Sequence, residues 1–371
     1  MIYLDSAATT QISDVALKAA WPWLTSEFGN ASSQHELGHR AAVALEQARQ
    51  SVAQFLGARS GEIIFTSGGT ESDNLGIIGL ALANPRGRHV VTAETEHEAV
   101  LASVDYLQRV HDFEVSFVPV DDTGSINVAD YRKALRTDTT LVTLMIGNNE
   151  VGTTHPIRDL TEIAHQFGAL VHCDVVQGIG WLPIDVRDLG VDALSISGHK
   201  IHAPKGIGAL YLKSPHAVEP LLHGGGQETG RRSGTENVAW AVALAAALNQ
   251  LQATDTLATS KLRDEFISGV LSDIPRAHLT GHPTHRLAHI ASFVFEGVSG
   301  ESVIVALEEK GVLCSSGSAC AAGRDEPSHV LLAMGFAPDL AKTAVRFSLS
   351  HDTTSDQLLQ VRQILREYFN R

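Results

Sequence analysis

The 371-residue chain is 44% hydrophobic and 19% charged, a balance that excludes a largely disordered protein and leaves room for about two packed units. A formal net charge of −14 argues against direct binding of nucleic acid, whose phosphates need clustered Lys and Arg, and favours small molecules or a protein partner. Three cysteines, Cys173, Cys314 and Cys320, make no disulfide framework, and the opening Met-Ile-Tyr-Leu-Asp lacks the basic flank and long apolar stretch of a signal peptide or anchor. A reducing, cytoplasmic setting without membrane association is therefore expected.

In chain order, helical apolar periodicity from about residue 16 to 190 alternates with β-rich runs at 62–66, 88–92, 114–118, 141–145 and 169–174. Two further strands are predicted at 193–197 and 208–212, giving an α/β unit with a mostly parallel sheet of seven strands or so. A glycine-rich stretch at 224–234 precedes a long Ala- and Leu-rich helix over 238–252 and another helical segment to about residue 271, read as a connector. The remainder, with strands at 291–295 and 345–349 and a helix over 302–310, suits a smaller α+β domain. The extreme N-terminus fits either unit. The boundaries are set at 12–253 for the large domain, and at 1–11 with 254–371 for the small domain, which carries the Cys320 loop.

Lys200 follows a strand in Ser-Gly-His-Lys-Ile (197–201), where ligands of open α/β sheets bind. A lysine shielded there can lose its proton and form a Schiff base with an aldehyde; taken alone it reads more readily as a solvated turn residue, and its neighbours decide. Asp174 ends the apolar run 170–174, where an unpaired carboxylate is costly. A pyridinium nitrogen at about 4 Å would supply roughly 4 kcal/mol of attraction at an effective dielectric of about 20. A turn-capping carboxylate is the simpler alternative for that residue alone. Thr-Ser-Gly-Gly-Thr-Glu-Ser-Asp-Asn (66–74) opens a helix behind a strand and suits a phosphate, although a plain helix cap explains it as well. His97 has the choice of stacking on a planar cofactor or packing at a strand end, and Asn149 and Gln177 of donating to a ring oxygen or serving as loop polarity.

Cys320 sits in the small-residue loop 314–323, suited to carrying a thiol between a buried site and an outside acceptor. Cys314 and Cys173 read as structural. His-Glu-Leu-Gly-His (35–39) matches a zinc-protease pattern with both histidines on one helical face, but no third ligand is evident.

With those residues placed, the chain resembles the NifS- and IscS-like cysteine desulfurases of the class V aminotransferase group, which have the type I fold of pyridoxal-phosphate enzymes. The markers run nearly end to end: 3–10, 28–35, 66–74, 148–152, 197–201, 223–227, 232–235, 315–320 and 346–349. The resemblance implies pyridoxal 5'-phosphate as cofactor and conversion of L-cysteine to L-alanine, the sulfur passing to Cys320 as a persulfide. It implies that Lys200 tethers the cofactor and moves the Cα proton, Asp174 pairs with the pyridine nitrogen, His97 stacks on the ring, and Gln177 and Asn149 contact its oxygen side. Gly69, Thr70, Ser197, Gly198 and His199 would hold the cofactor around its phosphate, and Thr235 would reach across from a second subunit of a homodimer. Arg346, with Asn149, would bind the substrate. No intrinsic metal is implied; Cys320 would at most meet an iron-sulfur cluster on a partner. That partner would be a sulfur-acceptor protein such as an iron-sulfur scaffold or a tRNA-thiolation protein. Two departures bear on it: residues 350–371 are shorter than the tail through which some relatives dock a scaffold, and the segment after Cys320 differs from common relatives.

Overall fold

A computed structural model describes residues 1–251, 256–316 and 326–370. The strands run β1 (Ile2–Tyr3), β2 (Ile63–Thr66), β3 (His89–Ala93), β4 (Glu114–Val118), β5 (Thr139–Met145), β6 (Leu170–Asp174), β7 (Ala193–Ser197), β8 (Gly208–Leu212), β9 (Ala277–Leu279), β10 (Ile290–Phe295), β11 (Val312–Leu313) and β12 (Ala344–Ser348). Seven of them form one sheet in the order β2-β8-β7-β6-β5-β3-β4, parallel except for β8, which runs against both neighbours. The expected large sheet is thus present.

Its central strands are buried along almost their whole length because helices cover both faces. Ile63 and Phe65 of β2 face a cluster built with the helices Asp14–Leu24, Glu36–Leu56 and Val238–Leu251, whereas Ile64 between them faces the helix Glu98–His111 on the other side. The edge strand β4 is half exposed, as an edge permits. Cys173 lies in the first cluster, and burial pushes its thiol pKa up, which leaves it an inert core residue.

A second, antiparallel sheet, β12-β10-β9, packs with the helices Thr256–Asp273, Gly300–Glu308 and Ser355–Phe369 around Phe266, Phe293, Phe295 and Phe347. Phe266 meets Phe347 edge-on at 5.3 Å, the favoured aromatic arrangement. The N-terminal segment ties this sheet's region to the first. Its β1 pairs in parallel with β11, Leu4 enters the phenylalanine cluster, and Thr10 then hydrogen-bonds the carbonyl of His199.

The protease-like pattern has a different use. His35 is the N-cap of the helix Glu36–Leu56, its Nδ1 accepting from the Gly38 N–H at 3.2 Å, so it lies before the helix and not on the face that carries His39. No cluster of His, Cys, Asp and Glu among the described residues is arranged to hold a metal, and no described helix is long and apolar enough to cross a membrane.

Candidate active site

Parallel strands deliver their following loops to one edge of a sheet. Here that edge encloses a cavity of about 580 Å³. Gly69 and Thr70 reach it after β2, His97 after β3, Asn149 after β5, Asp174 and Gln177 at and after β6, and Ser197, His199 and Lys200 at and after β7. Arg346 enters from β12 of the second sheet, and Ala7 and Ala8 from the N-terminal segment. Residues scattered over 340 positions of sequence therefore meet in one space.

Lys200 ends a single 3-10 turn, Gly198–Lys200. The turn is tight because Gly198 donates to the Ile207 carbonyl at 2.9 Å and a Cβ at Gly198 would stand 2.7 Å from the Ile207 side chain. Gly198 thus shapes the turn and does not line the cavity. The Lys200 amine donates to the carbonyls of Ala7 (2.6 Å) and Ala8 (2.8 Å), which aims it at the cavity floor. Beside it, His199 bonds Thr9 Oγ1 at 3.1 Å, and burial, with the charges of Lys200 and Lys205, pushes its pKa down to about 4, so the ring is neutral.

Asp174 closes β6 with one carboxylate oxygen on the Val176 N–H, 2.8 Å away. Burial raises its pKa, and the nearby charges of His97 and Lys200 act in the opposite sense. Two acids absent from the sequence-derived site share this end of the sheet. Asp73 and Glu96 are both buried, and desolvation, reinforced by the charge of Asp174, holds their pKa values well above the usual carboxylate range. Each has one oxygen without a hydrogen-bond partner among the described residues. Of these acids Asp73 and Asp174 line the cavity, and an ionised Asp174 there gains from a cation placed beside it. The legible signal was an acid at the end of an apolar strand, which Asp174 gave clearly; Asp73 lies inside a helix and Glu96 in a turn.

The glycine loop is built for close approach. Gly68 has φ 155°, and Gly208 of β8 packs so near it that a Cβ there would fall 2.8 Å from the Gly68 Cα. A Cβ on Gly69 would reach within 3.0 Å of Val176 Cγ2 and 3.3 Å of Ser197 Cβ, filling the space where the helix that begins at Gly69 meets the cavity. Thr66 and Ser72 lock the loop through a 2.7 Å hydroxyl pair. Glu71, a negative charge in the first turn, takes the Ser67 N–H at 2.7 Å and pairs with Arg232 at 2.8 Å, which neutralises it.

Arg346 is fully buried, with Nη1 on the Asn149 carbonyl (2.7 Å) and Nη2 on Asp5 (3.0 Å). His97 caps its helix through Nδ1, 3.1 Å from the Ala99 N–H. Thr235 is not brought to this cavity; with Ser67 and Arg232 it lines a separate one of about 220 Å³. Cys320 lies outside the described residues. Cys314 has its pKa pushed up to about 12, chiefly by burial, and packs against the phenylalanine cluster.

The sequence pattern of the family described as "Aminotransferase class-V" matches residues 2–361. The chain belongs to the class V aminotransferases. Among members of the family, "Cysteine desulfurase IscS" of Methanosarcina thermophila is 44% identical over 370 residues, 99% of this chain and 91% of that relative. A solved structure titled "NIFS-LIKE PROTEIN" superposes with a TM-score of 0.92 at 35% identity, covering 100% of this chain and 99% of that one. Another, titled "SspA in complex with cysteine", gives 0.84 at 35% identity over 94% and 99%. The cofactor of this class V aminotransferase is pyridoxal 5'-phosphate, and the cavity fits it: an amine at the floor, a buried carboxylate for a ring cation, and a cradle that a Cβ on Gly69 would obstruct.

Proposed function

We propose that the chain is a cysteine desulfurase, converting L-cysteine to L-alanine and taking the sulfur onto Cys320 for delivery to an acceptor protein. The observation that carries this reading is the convergence of Lys200, Asp174 and Arg346 on one cavity, since each supplies a different requirement of amino-acid chemistry. When bound, pyridoxal phosphate supplies an electron-withdrawing ring that stabilises negative charge at the substrate Cα. Lys200 Nζ tethers the cofactor, then takes the Cα proton and returns one to the product. Asp174 would pair with the ring nitrogen and keep it protonated, while burial holds the neighbouring Asp73 and Glu96 toward their neutral forms. His97 covers the ring, Gln177 and Asn149 serve its oxygen side, and Gly69, Thr70, Ser197 and His199 receive the phosphate.

Arg346 binds the substrate carboxylate, the Asn149 carbonyl and Asp5 holding its guanidinium in place. The Cys320 thiolate attacks the sulfur of the substrate: the new S–S bond forms as the Cβ–S bond breaks, the electron pair of that bond stays with the carbon skeleton, and the skeleton takes a proton at Cβ and leaves as alanine. Thr235 completes the phosphate site of a second subunit. Support for such a homodimer comes from an uncovered apolar stripe, with Leu17, Trp21 and Leu24 at helical spacing and Phe28 beyond them. We also assign residues 12–253 to a cofactor-binding domain and 1–11 with 254–371 to a small one, the separate phenylalanine cluster supporting the division. Iron-sulfur assembly or tRNA thiolation suits the acceptor, in the cytoplasm.

Purified protein incubated with L-cysteine tests this. Alanine is expected in the medium and a labelled persulfide at Cys320, both lost with Cys320→Ser. Alanine formed at the wild-type rate by that variant would refute the sulfur-transfer role.

A further inference from the structure

We infer that His289 is a positioning residue for the cofactor site: it fixes the side-chain amide of Gln177 so that the cavity meets an N–H and not a carbonyl oxygen. The inference rests on the pyridoxal-phosphate reading and extends it.

Gln177 lines the cavity, yet its amide is held from behind at both ends. Nε2 donates to the Ala7 carbonyl at 2.8 Å, the same oxygen that accepts from Lys200 Nζ at 2.6 Å. Oε1 faces His289 Nε2 at 3.4 Å. A carboxamide is nearly symmetric in shape, so its partners decide which way it points. With one N–H spent on Ala7, the second is left for the cavity. Were the amide reversed, its oxygen would confront the Ala7 carbonyl, two acceptors face to face, and the cavity would lose its donor.

His289 supports one orientation only. The ring is fully buried, and burial, aided by the charges of Arg346, His351, Arg263 and Lys200, keeps it neutral, so it has a single N–H. Nδ1 has no hydrogen-bond partner among the described residues, whereas Nε2 meets an oxygen, which places the proton on Nε2. The ring plane is set independently: His289 stacks on Trp181 at 4.3 Å and 15°, and the other face of Trp181 carries His351 at 4.0 Å and 18°. Trp181 is four residues beyond Gln177, so a short stretch of chain carries both the amide and the platform for its lock. The lock thus delivers a fixed donor to an anionic oxygen substituent on a planar ligand, beside the lysine that shares the Ala7 carbonyl.

The experiment compares His289→Phe, which keeps a ring on Trp181 but removes the donor, with His289→Gln, whose amide N–H can restore it. His289→Phe is expected to shift the visible absorption band of bound pyridoxal phosphate and to weaken cofactor binding by about tenfold, the weight of one buried hydrogen bond. His289→Gln is expected to recover both. In a Gln177→Met background, His289→Phe should add nothing. A His289→Phe protein with the wild-type band and affinity, or an equal further loss in the Gln177→Met background, would overturn the inference. If near-UV circular dichroism shows His289→Phe unfolded, the nitrogen-15 shifts of His289 in the wild-type protein decide: a proton on Nε2 supports the lock and one on Nδ1 sinks it. Failure of the wild-type protein to take up pyridoxal phosphate would refute the cofactor reading instead, and the tautomer would still report on the lock.

Discussion

Glu96 carries one carboxyl oxygen on the Met145 N–H, 3.0 Å away, and leaves the other without a hydrogen-bond partner among the described residues. Burial raises its pKa far more than that N–H lowers it. An acid whose pKa is higher folded than unfolded takes up protons on folding. Its contribution is therefore complete below the unfolded carboxylate pKa of about 4 and is lost as pH rises toward the folded value. Glu96→Gln keeps the bond to Met145 and cannot ionise. Its stability relative to wild type should therefore increase steadily from about pH 5 to about pH 8 in denaturant titrations. A difference that stays flat over that range would mean Glu96 is charged in the folded protein. The same residue marks where sequence reading stops. Lys200, Asp174 and the glycine loop stood at strand ends, where chemistry is legible from pattern alone. Asp73 and Glu96 became part of the site only through helix and turn geometry that brings them behind Asp174.

At the level of elements, the alternation of Ile63, Ile64 and Phe65 between two helix layers shows why the large sheet could be read in advance: apolar runs bounded by turn residues have few other uses. The short strands β1, β9 and β11 escaped, because two or three residues carry no period and exist only through partners far away in the chain. Backbone contacts between elements were equally hidden. Gly208 of β8 lies where a Cβ would come within 2.6 Å of the Ile196 carbonyl and 2.8 Å of Gly68. Gly208→Ala should therefore push the loop before the Gly69 helix out of place, costing about 1–3 kcal/mol in stability and weakening cofactor binding. Gly61→Ala, where an added Cβ meets nothing within 4 Å, is the control. Equal melting temperatures and equal affinities for the two variants would show that the glycine contact does not hold the phosphate loop.

For the whole molecule, the surface poses a question that the cavity does not. The helix Asp14–Leu24 buries Ala16 and Ala20 against the sheet's helical layer, yet turns Leu17, Trp21 and Leu24 outward, with Trp21 61% and the nearby Phe28 72% exposed. So large an apolar face on a chain of net charge −14 is costly in water unless another surface covers it. A second copy is the proposed cover. The placement of Thr235 in a separate cavity beside Ser67 and Arg232, and not with Lys200, fits a residue that serves the neighbouring subunit. A closed two-fold interface would place the same stripe on both sides, so one substitution acts twice. Trp21→Glu with Phe28→Glu should convert a dimer to a monomer in light scattering and lower cofactor affinity without unfolding the sheet, because Lys200, Asp174 and the glycine loop all lie within one chain. A doubly substituted protein that remains dimeric would move the interface elsewhere. One that becomes monomeric yet binds the cofactor as before would remove Thr235 from the phosphate site.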